Sequence, residues 1–139
     1  MGIFRIKLID TDFGLRMTYS IPKWLNENIK LHSIDEKTFE HKWCPVISYK
    51  KYEAPTTVIK CSVNHICATN DHPIWTLDGW KQAKDVIVGD KVYMHNGSYA
   101  FVTEIQNDQK VREVYDFQLD GGTNFLCTSM IVGSWDGNT

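Results

Sequence analysis

Apolar residues in this chain recur with a spacing of two over short runs that are cut by turn residues. Phe4, Ile6 and Leu8 alternate with polar or opposite-face residues, and Leu15, Met17 and Tyr19 do the same after Asp12-Phe13-Gly14. That pattern predicts two short strands over residues 3–19, with Gly14 free to take the positive φ of the turn. Ser20-Ile21-Pro22 reads as the start of a short helical turn through Asn26, with serine at the cap and proline in the first turn. A strand follows over residues 29–31, then a hairpin turn at Asp35-Glu36-Lys37-Thr38. The returning strand, residues 39–49, is interrupted at Cys44-Pro45, because proline has no N–H for the ladder. Lys50 to Pro55 reads as a charged, solvated connection.

The second half repeats the theme with shorter pieces. Residues 57–61 and 65–69 are β-branched strand candidates around Ser62-Val63-Asn64, and Ile74-Trp75-Thr76 is a brief strand ended by Asp78-Gly79. Trp80 to Lys84 reads as one helical turn with Ala83 inward. Residues 91–94 and 99–102 flank Asn96-Gly97, a strong hairpin signal. The remaining strands are residues 102–105, 113–119, 124–127 and 130–132. The sum is an all-β protein of many short strands with very little helix. Trp24, Trp43, Trp75 and Trp80 read as packing residues of the core or its rim. No internal repeat interrupts a single domain over 1–134, and 135–139 reads as a short polar tail in which Trp135 is a candidate anchor for a partner.

Composition narrows the function classes. With 139 residues, 42% of them hydrophobic and 23% charged, the chain can bury one continuous core. A formal net charge of −2 offers no basic field for nucleic acid. No apolar run has the length of a membrane span and no signal-peptide pattern opens the chain. Cys44, Cys61, Cys67 and Cys127 are read as free thiols in a reducing compartment, which makes the cytoplasm the expected location, or host cytoplasm or virion for a viral gene.

Two stretches carry more specific information. One holds Thr69-Asn70-Asp71-His72, then Asp78-Gly79-Trp80, then a run ending in Gly89-Asp90; the other is Val114-Tyr115-Asp116-Phe117-Gln118-Leu119 followed by Asn124-Phe125. In order and spacing, over roughly residues 34 to 135, these resemble the T-x-x-H and V-Y-D motifs of the Hint fold shared by inteins and hedgehog autoprocessing domains. The resemblance implies a curved horseshoe with pseudo-two-fold halves and chain ends close together. It also implies that Thr69, His72 and Asp116 stand at the family's catalytic positions.

Protein splicing needs an attacking thiol or hydroxyl at the first position, a histidine on the scissile peptide nitrogen, and an asparagine, usually after a histidine, at the end. Here Met1, Gly2 and Ile3 provide no nucleophile, and Gly133-Ser134 stand where His-Asn belongs. The expectation is therefore an intein-like domain that has lost splicing, with vestigial Thr69, His72 and Asp116, serving as a binding or assembly module for a protein partner or flanking polypeptide. Two alternatives stay open. One is active self-processing through His72 and a shifted Asn138-Thr139 end. The other is a zinc protein using Cys61, His65, Cys67 and His72, although their spacing fits no common finger. The main reading calls for no cofactor and no metal.

Overall fold

The computed structural model describes residues 1–138. Among them run β1 (Ile3–Phe4), β2 (Leu8–Thr11), β3 (Gly14–Met17), a 3₁₀ helix (Thr18–Glu27), β4 (Lys30–Ile34) and β5 (His41–Cys61). Then follow β6 (His65–Thr69), β7 (Pro73–Thr76), β8 (Gly79–Gln82), a 3₁₀ turn (Ala83–Asp85), β9 (Lys91–Tyr93) and β10 (Tyr99–Gln106). The last three are β11 (Val111–Leu119), β12 (Asn124–Cys127) and β13 (Met130–Gly133). The strands pair antiparallel into one coiled sheet in the order β10-β9-β7-β13-β12-β2-β4-β5-β11-β1-β6, with β3 on β2 and β8 on β7. The architecture is the all-β horseshoe expected from the motifs. Among the described residues no helix is long and apolar enough to cross a membrane.

β5 joins the parts. It has 21 residues and four partners: β4 along 41–45, β11 along 46–55, β6 along 56–60 and β10 along 58–61. Pro45 does not break it. The proline falls where the strand leaves β4 for β11, and its carbonyl accepts the Asp120 N–H at 2.9 Å, so no ladder bond is lost.

Lys50 to Pro55 is a correction to the sequence reading. The segment is the middle of β5, with Lys50 opposite Asp116, Tyr52 opposite Val114 and Pro55 opposite Val111. Its charges point outward and meet acids across the ladder, as Lys51 Nζ does Glu113 Oε1 at 3.7 Å. A half-solvated strand tolerates such a face, so charge there does not signal a loop.

The N-terminal reading also shifts. Residues 3–19 form three strands, and Ile3 and Ile9 are buried while Ile6 and Leu8 are exposed. A bend between β1 and β2 resets the alternation, which is why the expected phase fails. The 3₁₀ helix begins two residues before Ser20, whose hydroxyl donates back to the Met17 carbonyl instead of capping. Trp80 lies in β8, and the helical turn starts at Ala83, which is buried as expected.

The core is built from Ile3, Ile9, Leu31, Ile59, Ile66, Phe117, Phe125 and Val132. Phe117 and Phe125 meet edge to face at 5.9 Å. Beside them the fully buried Asn124 joins β12 to β4: its Nδ2 donates to the Ile34 carbonyl at 2.8 Å and its Oδ1 accepts the Ile34 N–H at 2.9 Å. Replacing Asn124 by alanine strands both backbone groups away from water, and a loss of about 2–4 kcal/mol in denaturant unfolding is expected.

Candidate functional site

β1 is two residues long and lies between two strands: Ile3 is opposite Tyr115 of β11 and Ala68 of β6. One antiparallel step back, Gly2 is set between Asp116 and Thr69. The Gly2 N–H donates to Thr69 Oγ1 at 2.7 Å, and the Gly2 carbonyl accepts the Thr69 N–H at 2.8 Å. On the other side of the same peptide, the Tyr52 hydroxyl donates to the Met1 carbonyl. The Met1–Gly2 peptide is thus gripped at its oxygen and at its nitrogen. Thr69 Oγ1 donates onward to Asp71 Oδ1 at 2.8 Å, and Asp71 pairs with the Met1 α-ammonium at 3.1 Å.

His72 closes the turn after β6, its N–H on the Thr69 carbonyl at 3.0 Å. The last strand reaches the same place from the opposite side. Ile74 pairs with Val132, so Pro73 faces Gly133 and His72 is level with Ser134. The imidazole is 1% exposed and neither ring nitrogen completes a hydrogen bond. Burial, then the Met1 ammonium, lowers its pKa to about 3, while the Gly133 backbone and Asp71 pull more weakly the other way. Gly133 faces the ring too loosely to satisfy it, so His72 is a neutral imidazole at physiological pH.

Asp116 is buried on the far side of Gly2, with one carboxylate oxygen unpaired. Burial raises its pKa to about 6, against the opposing pull of the Met1 ammonium, the Tyr52 hydroxyl and Lys50. Burial, followed by the Asp116 charge, in turn pushes the Tyr52 phenol well up, so Tyr52 stays a donor. Of the positions picked out by the motifs, Thr69 and Asp116 therefore flank Gly2 from two strands, and His72 is buried in the turn that follows Thr69.

Tyr52, Asp71 and Gly2 belong to the site and escaped the sequence reading. Asp71 stands inside the T-x-x-H stretch, where a carboxylate beside the threonine was the available signal. Tyr52 was hidden by treating 50–55 as a loop; as a strand, the register from Asp116 opposite Lys50 would have found it.

The arrangement can polarise the Met1 carbonyl through Tyr52 and can hold the amide nitrogen through Thr69. Gly2, whose nitrogen is held there, has no side chain with which to attack that carbonyl. A Cβ on Gly2 would stand 2.8 Å from Val114 Cγ2 and 3.1 Å from the Tyr52 oxygen, so no side chain fits there without movement. A Cβ on Gly133 would lie 3.0 Å from Pro73 Cβ. Of the alternative end, Asn138 is exposed with its N–H on Asp136 Oδ1 at 2.9 Å, and Thr139 lies outside the described residues.

The zinc alternative is not supported by the geometry. Cys61 Sγ faces Met130 Sδ at 3.8 Å, Cys67 is buried, His65 is exposed and His72 is buried in the turn after β6. Among the described residues no three His, Cys, Asp or Glu side chains gather as a ligand set.

No protein-family model matches the chain, and no curated protein does. Solved structures do match over nearly its whole length. A DnaB intein from Synechocystis sp. PCC 6803 superposes with a TM-score of 0.81 at 22% identity, covering 96% of this chain and 98% of that one. A bacterial intein-like domain from Clostridium thermocellum gives 0.79 at 21% identity, with the same coverage. The PabCDC21-1 intein gives 0.80 at 20%, again over 96% and 98%. The chain has the Hint fold of inteins.

Two measurements probe the site. Gly2→Ala forces a methyl group against Val114, and a net loss of about 1–2 kcal/mol in unfolding free energy is expected after the usual gain from a less flexible unfolded chain. The second uses pH. Because His72 falls from 6.5 to about 3, the unfolded chain binds the extra proton between those values and stability rises with pH there. Because Asp116 rises from 3.8 to about 6, the folded chain binds the extra proton between those values and stability falls with pH. Asp116→Asn removes only the second slope. Its stability relative to wild type should improve steadily as pH rises from 4 to 6 in denaturant titrations; a flat difference would show an unperturbed carboxyl.

Proposed function

We propose that this chain is an intein-like Hint domain in which splicing has been lost and the site kept as a clamp for an extended polypeptide, so that the domain serves in binding or assembly. The observation that carries this is the glycine at position 2. The peptide nitrogen that Thr69 holds belongs to a residue with no side chain, in a place where Val114 and Tyr52 leave no room for one. Protein splicing begins with attack by that residue's thiol or hydroxyl on the carbonyl before it. What remains around it is a set of peptide-holding groups: Tyr52 on the carbonyl, Thr69 on both polar groups of Gly2, and Asp71 beyond.

The other end supports the same reading. Glycine and serine stand at 133 and 134, and Pro73 crowds the position where the chemistry calls for a second imidazole. His72 and Asp116 then act as buried walls of the clamp rather than as proton carriers. A flanking polypeptide or a partner strand is the ligand of this reading.

The test is intact mass. The chain is produced with short peptides fused before Met1 and after Thr139 and kept at neutral pH for several days. An unchanged mass is the expected result. Loss of either flank, or a ligated pair of flanks, would show active self-processing and replace this reading.

A further inference from the structure

Far along the chain from the gripped peptide, on the β4–β5 ladder, two imidazoles face each other. His32 is opposite Trp43 and Ile34 opposite His41, so the two histidines are diagonal neighbours on one face. His32 Nε2 and His41 Nδ1 are 2.6 Å apart. The His32 ring is fixed from three sides: its Nδ1 is 2.8 Å from Asp10 Oδ2, and it lies tilted against Trp43 at 4.8 Å and His41 at 4.7 Å between ring centres. A carboxylate only accepts, so the His32 proton sits on Nδ1 and the lone pair of Nε2 is turned toward His41.

We infer that His32 Nε2 and His41 Nδ1 form a binding site for a borderline divalent transition-metal ion such as Cu²⁺, Ni²⁺ or Zn²⁺, with Asp10 orienting His32 from behind. Two imidazole nitrogens bound to one ion at about 2.05 Å and at right angles are about 2.9 Å apart, so the pair opens by only a few tenths of an ångström. On binding, His41 moves its proton from Nδ1 to Nε2 and no proton need be released. Burial, then His32 and His95, holds the His41 pKa below 6.5, which keeps its lone pair available at neutral pH. Asp10 on the rear nitrogen of His32 is the second partner that metal-bound histidines usually carry, fixing both tautomer and ring direction. A recess of about 310 Å³ lined by Phe39, His41, Tyr93, Asn96 and Gly97 opens beside His41 and gives solvent access to that ring. The site is a two-histidine site completed by solvent, which is why no cluster of three ligand side chains marks it.

The whole chain is titrated with Cu²⁺ at neutral pH and followed by calorimetry and electron paramagnetic resonance. One equivalent with nitrogen coupling from two imidazoles is expected. His32→Ala and His41→Ala should each weaken binding at least about tenfold, Asp10→Asn by about tenfold or more, and His65→Ala not at all. In wild type, substoichiometric Cu²⁺ should broaden the ring-proton resonances of His32 and His41 before those of His65 and His95, a readout that needs no variant to fold. Binding unchanged in His32→Ala and His41→Ala, or broadening first at another histidine, overturns the site. So does the absence of one-equivalent binding.

Discussion

The ladder between β5 and β11 is the interaction on which the rest of this molecule depends. Its nine register pairs run from Val111 opposite Pro55 to Leu119 opposite Val46. They bring Tyr52 to the same end of the sheet as Asp116, and they provide one of the two edges between which β1 is inserted. Without that ladder, Gly2 would keep only Thr69 of β6, and the Tyr52 and Asp116 side of its surroundings would be lost. Backbone hydrogen bonding, rather than any side-chain contact, therefore sets the geometry of the site.

Much of this was legible in the sequence because the decisive signals were short and local. Thr69, His72 and Asp116 sit in words whose residue types and spacing are tied to turns and strand ends, and the fold sets Thr69 and Asp116 on either side of Gly2, with His72 in the turn after Thr69. The strand runs at 65–69, 124–127 and 130–132 follow from β-branched and apolar residues between turns. Other parts were illegible for physical reasons. Residues 50–55 carry lysines and a glutamate on a solvated face, and one-sided burial makes such a strand look like a loop. The phase of Ile6 and Leu8 depends on a bend that alternation alone does not announce. Tyr52 acts on the Met1 carbonyl only because a ladder between segments some sixty residues apart has the register it has.

Steric fit adds a second constraint at the site. Gly2 lies against Val114 and Tyr52, and Gly133 against Pro73, so a side chain at either position would need its surroundings to move. His72 and Asp116 are buried behind them, the first held neutral and the second held toward its protonated form. Both shifts arise chiefly from lost hydration: at neutral pH His72 is uncharged, while Asp116 stays a carboxylate that takes up a proton more readily than an exposed one.

The position of β1 bears on how the chain is made. Its two residues precede every other strand of the sheet in the chain, yet one of the edges that encloses them is formed by residues 111–119. During synthesis β1 must wait, unpaired on that side, until β11 has emerged. Closing that edge is one of the distant contacts that make such a topology slow to complete.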